Sequence, residues 1–237
     1  MKILALDSSA VSASAAVLDD DKVLGEFFIN TKQTHSQTLM PMVQQVLIQT
    51  KTSLEEIDLF AVSAGPGSFT GVRIGVACVK GMAFAQNKPC IGVSTLEAMA
   101  YPLSMLNGII CAVMDARCQQ VYHALFRVNG SKVERIYDDC AVAISDLAES
   151  LRQYSDETIY FVGDGAKLCY ESEAFQSLQV QLIAEHLQYQ RAVGVAQCAV
   201  MHLKQEACTV TAEQLAPVYL RLPQAERELK KKLEGTT

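Results

Sequence analysis

The stretch from Leu59 to Lys88, LFAVSAGPGSFTGVRIGVACVKGMAFAQNK, constrains the fold more than any other part of the chain. It predicts a short apolar strand over 59–64, a tight turn at Gly65-Pro66-Gly67 and a long apolar helix from Phe69 to Gln86. Pro66 presets φ at the second position of a type II turn, Gly67 supplies the positive φ required next, and Ser68 caps the helix. Val72, Ile74, Val76, Ala77, Val79, Met82, Ala83 and Phe84 run all round that helix, so burial is expected on several sides. Gly71, Gly75 and Gly81 lie in its interior, each about 1 kcal/mol worse than alanine there. Close approach by another backbone would offset that cost. Arg73 and Lys80 fall along one edge.

Two phosphate-binding loops are excluded. A P-loop needs Lys followed by Ser or Thr after its last glycine, whereas Gly71 is followed by Val72-Arg73. A dinucleotide fingerprint needs G-x-G-x-x-G, and Gly65, Gly67 and Gly71 are one residue too widely spaced at the end. A helix N-terminus with free amides can still hold an anion, so the turn reads either as a tight strand-to-helix connection or as a phosphate seat.

Along the 237 residues, three strands open the chain (3–6, 12–18 and 22–30), with Asp7-Ser8-Ser9 at the first bend. Residues 36–51 have helical periodicity, which tolerates Pro41 only in the first turn. Leu39, Val43 and Val46 form one stripe; Met40, Leu47 and Ile48 form a second, spare one. Ser53-Leu54-Glu55-Glu56 and Ser94-Thr95-Leu96-Glu97 have capping-box form. The pattern then restarts. Strands at 109–114, 119–128 and 132–140 place Asp115 at the bend, 108 residues after Asp7. Helices at 145–154 and 191–205, a strand at 158–162 and an ordered segment at 217–221 complete the reading. The expected domains are a first lobe over 1–105, a second over 106–222, with its last helix able to pack back on the first, and a solvated tail over 223–237 containing Lys230-Lys231-Lys232.

Only 19% of residues are charged, which hints at apolar surface kept for a partner, and the net charge of −6 argues against strong nucleic-acid binding by this chain alone. Eight cysteines without a C-x-x-C read as small buried hydrophobes in a reducing compartment. No signal peptide or membrane span is evident, which predicts a cytoplasmic protein with no membrane contact.

Ile3–Ser9, the segments Thr34-His35-Ser36 and Leu39-Met40-Pro41, the run GPGSFTGVRIG from Gly65, Lys80-Gly81 and Gly92–Glu97 together resemble the TsaB (YeaZ) family. Asp115-Ala116-Arg117, Val121-Tyr122, Gly163-Asp164-Gly165 and Tyr219-Leu220-Arg221 carry the resemblance into the second lobe. The family implies an α/β, two-lobe actin-like ATPase (ribonuclease-H-like) fold, mixed sheets flanked by helices, with the second lobe degenerate. It implies a non-catalytic subunit that binds and activates TsaD together with TsaE. The complex transfers threonylcarbamoyl from threonylcarbamoyl-AMP to N6 of the adenosine next to the tRNA anticodon. The resemblance also implies a homodimer when the chain is alone, and only indirect contact with tRNA.

The same comparison puts the metal-binding histidines of the catalytic paralogue on Thr95 and Met99, neither of which replaces an imidazole. His35, His123, His186 and His202 show no ligand spacing, so no metal and no catalytic residue is expected. The phosphate-binding turns of the fold would lie at Asp7 and Asp115. Both turns lack glycine, so these two residues are candidates for cofactor binding or simply turn formers. No cofactor of its own is expected, ATP or ADP being implied only at the junction with partners. The expected partner interface is Met40, Val43, Gln44 and Leu47 on one helix with Val72, Arg73, Val76, Val79, Lys80 and Ala83 on the next. The alternatives are an independent actin-like ATPase or small-molecule kinase, and a metalloprotease, although H-E-x-x-H and G-x-S-x-G are both absent.

Overall fold

The computed structural model describes residues 1–31 and 33–221; the tail expected over 223–237 lies outside them. Apolar runs bounded by polar turns form β1 (Lys2–Asp7), β2 (Ala13–Asp19) and β3 (Lys22–Ile29). They are followed by α1 (His35–Thr50), β4 (Leu59–Gly65), α2 (Phe69–Gln86), β5 (Cys90–Ser94) and α3 (Thr95–Ala100). The second half repeats the plan with β6 (Asn107–Asp115), β7 (Gln120–Asn129), β8 (Val133–Ala143), α4 (Ile144–Leu151) and β9 (Ile159–Val162). It closes with α5 (Ala166–Tyr170), β10 (Val180–Leu182) and α6 (Ala192–Lys204).

The sheets have matching orders, β3-β2-β1-β4-β5 and β10-β9-β6-β7-β8, each with an antiparallel hairpin pair beside parallel strands. This is the expected two-lobe α/β plan of mixed sheets flanked by helices, and Asp7 and Asp115 end equivalent strands, β1 and β6. Five layers result. Helices α1 and α2 cover the outer face of the first sheet through Leu39, Val43, Val46, Val72, Val76 and Val79. Helices α4 and α5 cover the outer face of the second. Between the sheets, the helices are exchanged. Helix α6 follows the second sheet in sequence yet packs Val195, Ala196 and Ala199 on Ile3, Ala5 and Ala61 of the first. Helix α3 follows the first sheet yet packs Leu96 and Met99 on Ile110, Ala112 and Phe126 of the second. Gly194 lets the two helices touch, since a Cβ there would lie 2.1 Å from the Ala98 carbonyl oxygen.

The central turn differs from the expectation. Gly65 has φ +125°, the Gly65–Pro66 peptide is cis, and Gly67 is not in the left-handed region, so this is not a type II turn. Only glycine fits at position 65, where a Cβ would lie 2.3 Å from the Val218 carbonyl oxygen. Pro41 sits inside α1 beyond its first turn, on the exposed side. Ser94 accepts from the Glu97 backbone N–H at 3.2 Å, but the Glu97 carboxylate turns away to Arg135 and His202 instead of closing the box. The cysteines are not uniformly buried, because Cys118 and Cys208 are exposed. Among the described residues, no helix is long and apolar enough to cross a membrane.

Candidate functional site

Four turns at the carboxyl ends of parallel or central strands meet between the lobes: those after β1, β4, β6 and β9. They surround a cleft of about 380 Å³ lined by Ser9, Gly67, Ser68, Phe69, Asp115, Arg117, Tyr122, Asp164 and the segment Val218–Arg221. The carboxyl ends of strands are where open α/β sheets bind ligands. The N-terminus of α2 also faces this space.

The glycines of the GPGSFTG run explain how that helix is seated. A Cβ on Gly71 would lie 2.1 Å from the Ser8 carbonyl oxygen, and one on Gly67 would lie 2.4 Å from that of Ser9. The Ser68 N–H donates to the Ser9 carbonyl at 2.6 Å, and Ser8 Oγ donates to the Gly71 carbonyl at 2.9 Å. The first lobe's turn is therefore packed beneath the start of α2. Asp7 is only 1% exposed and accepts from the Ser9 N–H, Ser9 Oγ and Ser63 Oγ. Burial raises its pKa, more than these donors lower it. Asp7 does not line the cleft and serves as a turn former.

Asp115 does line the cleft. It accepts from the Arg117 backbone N–H at 2.7 Å and from its guanidinium at 3.1 Å. Arg117, Cys118 and Gln119 are consecutive non-glycine residues at φ +65°, +55° and +56°. Each is disfavoured by roughly 1–2 kcal/mol in that region. Arg221 steadies this turn by donating to the Ala116 carbonyl. Beside Asp115, at the end of the adjacent strand β9, burial with that carboxylate alongside pushes Asp164 up to about 6. Gly163-Asp164-Gly165 carried only the family resemblance in the sequence, which did not single out its carboxylate as a cleft residue.

The second surface is the outer face of α1 and α2. Met40 (44% exposed) and Ile48 (55%) on α1 and Phe84 (70%) on α2 are large apolar side chains left exposed, with Gln44 exposed and Leu47 half-buried. Five expected interface residues are corrected: Val43, Val72, Val76, Val79 and Ala83 are all buried in their own core. The spacing 72, 76, 79, 83 is one helical face, and that face meets the sheet; residues 74, 77 and 81 lie about opposite at 100° per residue, with 84 on the flank. The arithmetic was available in the sequence. Lys80, also expected at the interface, is half-buried. Its ammonium donates to the Glu213 and Leu215 carbonyls at 3.0 and 2.9 Å, so it anchors the C-terminal segment of its own chain. Arg73 is exposed, stacks 3.7 Å over the Phe69 ring and donates to Tyr219 Oη at 2.7 Å.

A family model described as TsaD, tRNA N6-adenosine threonylcarbamoyltransferase, matches residues 22–229. The tRNA threonylcarbamoyladenosine biosynthesis protein TsaB of Bacillus subtilis is 32% identical over 95% of this chain and 96% of its own. That of Escherichia coli is 37% identical over 70% and 72%. The solved structure of YeaZ from Pseudomonas aeruginosa superposes with a TM-score of 0.76 at 27% identity, covering 92% of this chain and 99% of that one. The chain belongs to the TsaB family.

As a TsaB protein it acts in tRNA threonylcarbamoyladenosine biosynthesis. Thr95 and Met99, where the catalytic paralogue's metal ligands would align, are buried, and Met99 packs on the second sheet. His202 is not isolated as the sequence suggested. It lies one turn beyond Cys198 on α6 and meets Glu97 of α3, a grouping that depends on the exchange of helices between lobes.

Proposed function

We propose that this chain is the non-catalytic partner subunit of a threonylcarbamoyltransferase complex, binding and activating TsaD, with TsaE joining the assembly. The observation that carries the proposal is the exposure of Met40 and Ile48 on α1 and of Phe84 on α2, left outward by two helices whose inner faces are satisfied. Several large apolar side chains left exposed on two neighbouring helices favour a contact site there. In isolation the same face would pair with a second copy. The packed-down turn at Asp7 supports a subunit that performs no phosphoryl chemistry of its own, with ATP or ADP held only where partners complete the cleft. A role in tRNA modification supports a cytoplasmic location.

The test is the double variant Ile48→Glu, Phe84→Glu, in which both side chains are exposed and folding should survive. Loss of a central aromatic contact costs about 2 kcal/mol or more, a weakening of at least about 30-fold. Calorimetry with purified TsaD should show that loss, and reconstituted tRNA modification should fall with it. Unchanged affinity in a folded variant refutes this interface. The cleft, with Asp115 and Asp164 facing the α2 N-terminus, favours a second reading as an independent ATPase. Micromolar Mg-ATP binding with turnover by the isolated chain would establish that reading instead.

A further inference from the structure

We propose that Glu97, Cys198 and His202 form a binding site for a zinc-type transition-metal ion that pins α3 to α6. The inference is independent of the partner reading above. Cys198 and His202 are four residues apart on α6, so both side chains leave one face of that helix. Glu97 arrives from α3. His202 Nε2 lies 3.0 Å from Glu97 Oε1 and 3.6 Å from Cys198 Sγ, and all three donor atoms are within 4.8 Å of one another. Tetrahedral zinc with bonds of about 2.0–2.3 Å places N, O and S donors about 3.3–3.6 Å apart. The two His202 pairs need shifts of a few tenths of an ångström, and the remaining pair at most about 1.3 Å.

The donor chemistry selects the ion. A thiolate, an imidazole and a single carboxylate suit zinc or cobalt and not magnesium or calcium, which take oxygen shells. The surrounding groups fit a ligand set. The second oxygen of Glu97 accepts from Arg135 at 2.8 Å, Arg135 also pairs with Asp139 at 2.6 Å, and Asp139 accepts from Ser94 Oγ. Ligating carboxylates are characteristically held from behind in this way. Charges balance: Glu97, Asp139 and a Cys198 thiolate offset Arg135 and a divalent ion. The thiol proton leaves to solvent as the metal binds. Cys198 is fully buried, whereas His202 is 25% exposed, leaving a fourth position for water on the open side. Metal here would crosslink the two helices that the lobes exchange. The competing arrangement is a hydrogen-bonded chain without metal.

The test uses the full chain with the exposed thiols removed (Cys118→Ser, Cys208→Ser), stripped with chelator and titrated with Co²⁺. The expected result is a near-ultraviolet thiolate-to-cobalt band that saturates at one ion per chain and is displaced by Zn²⁺. Cys198→Ser should abolish the band, and His202→Gln should weaken cobalt affinity about 10–100-fold or more. Zn²⁺ should raise Tm only when the three donors are intact. Absence of the band at one equivalent, or its persistence in both variants, overturns the proposal. Should Cys198→Ser fail to fold, His202→Gln, near the helix end, decides alone.

Discussion

Gly71 and Gly81 lie in the same helix, ten residues apart, and the structure predicts opposite consequences for the same substitution. By helix propensity alone, alanine at either position should stabilise by about 0.8–1.0 kcal/mol. At Gly81 an added Cβ meets nothing within 4 Å, so that gain should be realised. For a chain of this size, 1 kcal/mol corresponds to about 2–4 °C in Tm. At Gly71 the Cβ would lie 2.1 Å from the Ser8 carbonyl oxygen, where contact distance is well above 3 Å. The neighbour is backbone, held by β1 and by the Ser8 Oγ to Gly71 hydrogen bond, so neither side can rotate away. Displacing α2 by an ångström costs about 1–3 kcal/mol in overpacking, and losing the buried hydrogen bond adds about 1 kcal/mol. Subtracting the propensity gain leaves Gly71→Ala destabilised by about 1–3 kcal/mol. Thermal unfolding should therefore give Tm above wild type for Gly81→Ala and below it for Gly71→Ala. Runs at two protein concentrations separate any self-association through the outer face. A Gly71→Ala protein as stable as Gly81→Ala would refute the claim that this helix is seated on the Asp7 turn.

Two buried groups should give opposite pH dependences. Asp164, raised from 3.8 to about 6, binds its proton more tightly when folded, so its contribution falls as pH rises from about 4 to 6. His123 is lowered by burial from 6.5 to about 4, so its contribution is lost as pH falls through that window. Each is worth on the order of 2–3 kcal/mol, and they nearly cancel. Urea unfolding between pH 4.5 and 6.5 should show stability rising with pH in Asp164→Asn and falling in His123→Phe; parallel profiles would contradict both assignments. Lys80→Met leaves the Glu213 and Leu215 carbonyls without their ammonium donor. It should cost about 1–2 kcal/mol, with chymotryptic cleavage at Tyr219 about tenfold faster. Unchanged cleavage would mean that the segment is held elsewhere.

Hydrophobic periodicity and turn residues were enough for the strands of the first lobe, helix α2 to the residue, and the duplication that brings Asp115 to the place of Asp7. Those are local properties, encoded within a dozen residues of where they act. The face that α2 turns to its sheet was also legible, because residues 72, 76, 79 and 83 share one side of any helix. The short α5 and β10 left no such trace, being too brief for a period to show. Three things needed the assembled chain. The glycines of α2 could be seen to require a neighbour, but only packing named Ser8 as that neighbour and left Gly81 without one. Lys80 and Arg73 looked like surface charges until the C-terminal segment returned to meet them. Glu97 and His202 are 105 residues apart and met only because α3 and α6 cross between the lobes. Contacts at such separations depend on which surfaces remain unfilled once each sheet has formed, and that is a property of the whole volume.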